Sequence, residues 1–308
     1  IHPVTRWKGD EGLVDFFIEE SQKEPIGLMC AEEASLHSVT PFFTEEKFSK
    51  AKNVYMVQGG YDISYYDNIL SGLPNLKYEI WPFYFLYEGI YHNNSLSNSK
   101  NVDKLFLCMN YKPRLHRKKL LDQLAKVNLL SSNYFTWHQP SESYHYKPDL
   151  FDEDHYIWKH WNPVQTYLEG TTWDQYAPPP EMSRCVIDVV TESFLHCPFL
   201  TEKSWNAIIS KKPFIILGNV GIHRHLESLG FRLPTQINYA FDSVQDIDMR
   251  IKMIVDELCR LSTKDLYELH ESMQDITEYN YQRAIDIVKN EKHSHHVKTH
   301  YAKVITRA

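Results

Sequence analysis

From residue 104 to residue 261 the chain alternates short apolar runs with stretches of helical periodicity, and nothing else in it constrains the fold as strongly. Leu105–Asn110 (LFLCMN), Cys185–Val190 (CVIDVV) and Pro213–Leu217 (PFIIL) have the length and apolar, partly β-branched composition of buried strands. Between and after them come helical patterns. Arg114–Lys126 carries apolar residues at Leu115, Leu120, Leu121 and Leu124. Thr201–Ser210 follows, then Gly221–Leu229 closed by Gly230, then the long stretches Val244–Leu261 and Lys264–Lys289. Tyr134–Trp137 reads as one more strand. Such alternation buries both faces of a sheet under helices, which implies a parallel, Rossmann-like α/β architecture.

The N-terminal third reads as a second sheet of the same kind. Its strands are Ile26–Cys30 (IGLMC), Asn53–Gln58 (NVYMVQ, ending at Gly59-Gly60) and Lys77–Tyr87. Asn93–Asp103 is polar, aperiodic and rich in turn formers, which marks it as the linker. The expected division is therefore an N-terminal domain over 1–98 and a C-terminal domain over 99–308, with the last helices packing back. Residues 139–181, rich in Pro, Tyr, Trp and His, read as a long loop.

Composition removes several classes. With 43% hydrophobic and 24% charged residues the chain supports a core and is not disordered. A formal charge of −7 gives no global basic footprint for nucleic acid, although a local basic groove stays open. The five cysteines are dispersed and odd in number, as expected of reduced thiols in a cytosolic protein. The apolar run Ile80–Tyr87 is too short to span a bilayer. No Walker A loop, G-x-G-x-x-G or G-x-S-x-G occurs, so ATP hydrolysis, hydride transfer and serine hydrolysis lack support.

The segment with the most chemistry begins at Val190. A strand ends at Glu192, Thr201-Glu202-Lys203 opens a helix, and the following strand PFIIL ends at Gly218. Thr201 suits an N-cap. A helix N-terminus with an adjacent ammonium favours anionic oxygens, so this is a diphosphate site in outline. The plainer alternative is a capped helix with solvated charges. Upstream, basic residues at the start of Arg114–Lys126 oppose the macrodipole, which an anionic ligand, or simply a solvated face, accounts for.

Glu192, Thr201-Glu202-Lys203, Pro213–Gly218, Leu229-Gly230-Phe231 and the upstream Asn110-Tyr-Lys-Pro-Arg-Leu-His-Arg117 together resemble the donor half of phage and large-virus glycosyltransferases. A more distant similarity is to α-1,3-fucosyltransferases, in which a Glu-Lys pair opens the corresponding helix. The resemblance covers residues 104 to 260. It implies a GT-B-like fold, two Rossmann-like domains facing across a cleft, and transfer of a sugar from a nucleotide diphosphate to a glycan or other hydroxyl. On that resemblance Lys203, Arg117 and Arg114 balance the departing diphosphate in place of a divalent metal. Asn110, Thr201 and Gly218 complete the donor site, Glu202 takes a ribose hydroxyl or orients Lys203, and Glu192 holds donor hydroxyls. The resemblance places the protein in the cytoplasm, of the host if viral, with a nucleotide sugar as co-substrate and no cofactor.

An inverting reaction also needs a proton acceptor, expected from the N-terminal domain. The catalytic candidates are Asp62, which follows the Gly59-Gly60 turn, and Glu33, with Glu32 and His37 as further choices. Asp152 and Asp154 have the spacing of a metal-binding D-x-D but lack a positioning strand; Asp246 and Asp248 lie in a helical pattern. His293, His295, His296 and His300 have no accompanying carboxylate or Cys framework. No metal is therefore expected. Two other functions stay open: glycosylation of a DNA base, such as a viral hydroxymethylated base, and non-catalytic binding of a nucleotide or sugar.

Overall fold

The structure, a computed structural model, describes residues 11–23, 26–30, 43–52, 54–92, 102–110, 114–136, 179–196 and 198–290. Glu32, Glu33, His37, most of the Asn93–Asp103 segment, Asp152, Asp154, the bulk of the 139–181 segment and the tail histidines lie outside the described residues. Two compact units emerge. One comprises Ile1–Glu88, His196–Thr201 and Asp286–Ala308, the other Gly89–Leu195 and Glu202–Ile285.

In the first unit β1 (Ile26–Cys30), β2 (Val54–Gln58) and β3 (Leu76–Ile80) form a parallel sheet in that order, with Ile26 opposite Val54 and Val54 opposite Leu76. Three helices flank it: α1 (Glu11–Lys23), α2 (Glu45–Ser49) and α3 (Ile63–Leu70). Its core joins Val14, Phe17 and Ile18 of α1 to Phe48 of α2, Met56 of β2, and Tyr66 and Leu70 of α3.

The third strand is shorter than its apolar run suggests. Trp81 N–H still donates to the Gln58 carbonyl at 2.7 Å. Pro82 then has no N–H to continue the ladder, and its fixed φ suits the entry to a helix. Tyr84–His92 is helix α4, so the aromatic run past Ile80 turns from strand to helical periodicity.

The second unit holds β4 (Lys104–Cys108), β5 (Tyr134–Phe135), β6 (Cys185–Thr191) and β7 (Phe214–Leu217), all parallel, in the order β5-β4-β6-β7. Every residue of β6 is buried, as a central strand covered on both faces must be. Helix α5 (Leu115–Lys126) contributes Leu120, Leu121 and Leu124 to the core, where they meet Ile251, Ile254, Val255 and Leu258 of the helix Ile247–Ser262. Helix α6 (Glu202–Ile209) lies against β6 and β7, with Trp205, Ala207, Ile208 and Ile209 buried. Helices α7 (Ile222–Ser228), α8 (Ile247–Ser262), α9 (Leu266–Glu271) and α10 (Gln274–Asn290) complete the described chain, so Lys264–Lys289 is two helices rather than one. Among the described residues no helix is long and apolar enough to cross a membrane.

The outer edge of β7 is closed by a side chain. Ile216 N–H donates to His223 Nε2 at 3.1 Å, and His223 Nδ1 faces Asp242 Oδ1 at 2.8 Å, which fixes the tautomer with the proton on Nδ1. Gly221, at φ 80°, makes the turn into α7 that brings His223 back to the strand. The imidazole is fully buried, stacked on Phe214 and edge-on to Phe241. Replacing His223 with Phe keeps the aromatic packing but leaves the Ile216 N–H and the Asp242 carboxylate without it, a loss of about 2–3 kcal/mol. Urea unfolding of His223→Phe should read a drop of that size; an unchanged midpoint would show that β7 does not depend on this cap.

Candidate functional site

The strand order creates a crevice. The chain leaves β4 toward β5 on one side and leaves β6 toward β7 on the other, so the connections diverge between the carboxyl ends of β4 and β6. In open parallel sheets this reversal is where ligands bind. Helices α5 and α6 both begin at this end, which directs their unsatisfied N–H groups and positive dipole ends there.

Three side chains tie the strand ends together. Asn110, beyond β4, donates its backbone N–H to Thr136 Oγ1 at 2.8 Å, and its Oδ1 accepts from Thr191 Oγ1 at 2.6 Å. It therefore links the ends of β5, β4 and β6. Its side-chain amide reaches back to the Cys108 carbonyl.

Arg117 is not on the surface. It is 1% exposed, and its guanidinium donates to the Thr191 carbonyl at 2.9 Å. Solubility therefore does not explain it. Arg114 occupies the N-cap of α5, makes no side-chain cap bond, and lies with its guanidinium 4.8 Å from the centre of the Phe194 ring. The first turn of α5 holds no acidic residue. Its N–H dipoles and its cations therefore add rather than cancel.

Glu192 is 1% exposed and held at both ends. Its N–H donates to the Leu217 carbonyl, its own carbonyl accepts from His116 Nε2 at 2.9 Å, and its carboxylate accepts the Ser204 hydroxyl from the first turn of α6. It joins β6 to two helices rather than capping the adjacent loop. Gly218 lies beside it: a Cβ there would stand 2.9 Å from Ile222 Cδ1 and 3.2 Å from Glu192 Cγ, so a side chain at this position would have to displace its neighbours.

Thr201 is buried immediately before the first residue of α6. Glu202 and Lys203 form an ion pair, with side chains 12% and 13% exposed. Burial pushes the Glu202 carboxyl up, but the Lys203 ammonium, their hydrogen bond and the Arg117 guanidinium outweigh it, and its pKa lies below the usual glutamate range. The Glu202 carboxylate thus stays ionised within a field that Arg117 shares.

Sequence reasoning missed three members of this cluster: His116, Ser204 and Arg250. His116 had a signal, since it falls inside a motif that carries the resemblance, and Ser204 directly follows another. Arg250 had none, because it arrives from α8, more than a hundred residues beyond β4. Its Nε donates to the Val244 carbonyl at 2.9 Å and a terminal nitrogen donates to the Gly218 carbonyl at 2.5 Å.

The other candidates have local partners of their own. Asp62, in the first unit, is exposed and caps α3, its Oδ1 accepting from Ser64 N–H at 3.0 Å. The space beside Gly60 is filled by the Tyr66 side chain, so the glycine accommodates that ring. Asp246 caps α8 through Met249 N–H, and Asp248 pairs with Lys119. Among the described residues no group of three or more His, Cys, Asp or Glu side chains is placed to hold a metal ion. Cys108 is buried and its thiol is pushed up to about 12 by burial, which makes it a poor nucleophile.

Chemically, guanidinium, ammonium and helix N–H groups favour anionic oxygens. Arginine and lysine side chains converge with two helix N-termini on one sheet edge, and two buried carboxylates hold the frame or present oxygens to hydroxyl groups.

No protein-family model matches the chain, and no curated protein matches it in sequence. Its fold has been compared with solved structures. One is a β-glucosyltransferase described as a DNA-modifying enzyme, studied with and without uridine diphosphoglucose, at 11% identity and a TM-score of 0.43 over 87% of this chain and 81% of that one. Another is a mutant T4 phage enzyme of the same kind in complex with UDP-glucose, at 13% identity and a TM-score of 0.47 over 94% and 79%. A third is the T4 phage enzyme with UDP and Mn2+, at 11% identity and a TM-score of 0.46 over 94% and 79%.

His116 provides a pH test of the site. Burial, reinforced by the charge of Arg117, pushes its imidazole down to about 3, against the pull of the Glu192 carbonyl. In the unfolded chain a histidine takes up a proton near pH 6.5. Between that pH and about 3 the unfolded state therefore binds a proton that the folded state does not, and stability falls on acidification. His116→Gln retains a donor for the Glu192 carbonyl and removes the titration. It should lose about 2.5 kcal/mol less than the parent between pH 7 and 4.5. Urea midpoints across that range decide it; parallel curves would mean that His116 titrates as a solvated group.

Proposed function

We propose that the protein is a nucleotide-sugar-dependent glycosyltransferase of GT-B type, and that its C-terminal unit binds the nucleotide-diphosphate end of the donor. The observation that supports this most is the convergence of Arg114, Arg117 and Lys203 with the N-termini of α5 and α6 at the carboxyl ends of β4 and β6. A diphosphate leaving group develops charge as the glycosidic bond breaks. Fixed guanidinium, ammonium and N–H groups stabilise that charge without reorganising.

In this reading Arg114 and Lys203 meet the phosphate oxygens. Arg117, bonded to the Thr191 carbonyl, supports them through its field. Glu202, kept ionised by Lys203, accepts a ribose hydroxyl. Glu192 receives donor hydroxyls from a position fixed by Ser204 and His116, with Gly218 admitting the ligand and Thr201 starting α6. Asn110 acts through the frame by holding the strand ends in register. The acceptor belongs to the N-terminal unit, where Asp62 or Glu33 takes the acceptor proton. With these cations balancing the diphosphate, no divalent ion is required. The acceptor is a glycan or other hydroxyl compound.

Thermal shift and calorimetry with UDP, GDP, CMP, ADP and dTDP, each with a divalent ion and with EDTA, test the donor site. One nucleoside diphosphate should raise the melting temperature, with EDTA having no effect. Lys203→Ala and Arg114→Ala, checked for folding by circular dichroism, should each weaken it about 10- to 100-fold, the value of one hydrogen bond between charged groups. Transfer from the matching nucleotide sugar is then followed with oligosaccharides and with duplex DNA bearing hydroxymethylated bases as acceptors. Transfer to DNA alone would replace the glycan assignment. Binding without transfer would favour a nucleotide-binding protein, a shift that needs metal would overturn metal independence, and no shift at all would remove the donor site.

A further inference from the structure

Among the described residues no ion pair neutralises the charge of Arg250. It is 4% exposed, and its hydrogen bonds run from Nε to the Val244 carbonyl and from one terminal nitrogen to the Gly218 carbonyl. Both acceptors are neutral. Among the described residues no carboxylate forms an ion pair with it, and the nearest influential one, Asp242, is bonded to His223 and to the backbone of α7. A guanidinium has five donors, so several remain after these two bonds. Burying a cation without a counter-charge is costly, and such groups are retained where an anion arrives to complete them.

Its location says which anion. Gly218 ends β7 and approaches the Glu192 side chain, at the same sheet edge where α5 and α6 begin. The charge of Arg250 also reaches His116, in the first turn of α5. Arg250 therefore stands on the β7 side of the crevice, while Arg117 stands at the end of β6 and Arg114 at the start of α5.

We propose that Arg250 is a further ligand-binding residue of this site, one that closes on a phosphate group from the β7 side and is neutralised only when that phosphate is bound. The inference rests on the donor-site reading above and adds to it a cation from a helix outside the motif region. It also explains why a helix so far along the chain returns an arginine to the end of β7: the two carbonyl bonds orient the guanidinium plane, and the other donors face the ligand.

Calorimetry with UDP, UMP, uridine and inorganic pyrophosphate tests this on the full chain. Arg250→Met, which keeps the aliphatic volume, should bind UDP and pyrophosphate at least 10-fold more weakly and leave uridine affinity unchanged. Arg250→Lys, which restores the charge without the fork, should recover part of that loss. The salt dependence of UDP binding should also flatten in Arg250→Met, because one fewer cation meets the ligand. Should Arg250→Met unfold, spectra of 15Nε-labelled arginine in the parent, assigned with Arg250→Lys, still report whether the Arg250 resonance moves on adding pyrophosphate.

Parental pyrophosphate affinity in a folded Arg250→Met, alongside weak binding in Lys203→Ala, would show Arg250 to be a purely structural brace and leave the donor site standing. An unmoved Arg250 resonance at saturating pyrophosphate would say the same. Failure of the parent to bind pyrophosphate or any of the five screened nucleotides would overturn both the donor site and this residue's role.

Discussion

The second unit depends on the burial of β6. A strand with all seven residues inside must pair on both edges and be covered on both faces. Parallel pairing meets that demand only if each strand returns through a crossover helix. All strand carboxyl ends then collect on one edge, together with the N-termini of the helices that follow. A concentration of positive potential at that edge is thus a consequence of how the core is satisfied, before any functional side chain is considered.

On that edge the polar groups divide by what holds them. Asn110, Thr136 and Thr191 bond one another and set the spacing of the strand ends. Glu192 is fixed by Ser204 through its carboxylate and by His116 through its carbonyl. Arg117 and Arg250 each meet a backbone carbonyl, of Thr191 and of Gly218, which orients the guanidinium at the strand ends. Low local dielectric makes that positive field strong and keeps the neighbouring imidazole neutral.

Legibility varied with the range of the interaction concerned. The strands of both sheets were readable because each is a short apolar run whose burial is decided locally by its own composition. Lys77–Tyr87 misled for the same reason: its aromatics suit a strand or a buried helix equally, and Pro82 was the local mark that separates them. Glu202, Lys203 and Glu192 were recognisable from their motif, but the bond from Glu192 to Ser204 and the burial of Arg117 were not, since charge alone says nothing about depth. Arg250 went unnoticed because its partners are carbonyls, and backbone acceptors leave no trace in side-chain pattern; His116 lay inside the motif, but its bond to the Glu192 carbonyl was hidden for the same reason.

The sequence by itself determined the α/β class, the parallel sheets and the position of helix starts next to strand ends, because hydrophobic period and capping are properties of neighbouring residues. Only the tertiary structure decided that Asn110 would serve as a strand staple, that Arg117 would be buried, and that Arg250 would come from α8 to the end of β7. Those outcomes depend on which distant carbonyls and carboxylates share one low-dielectric space, and that is fixed by the order in which the strands assemble.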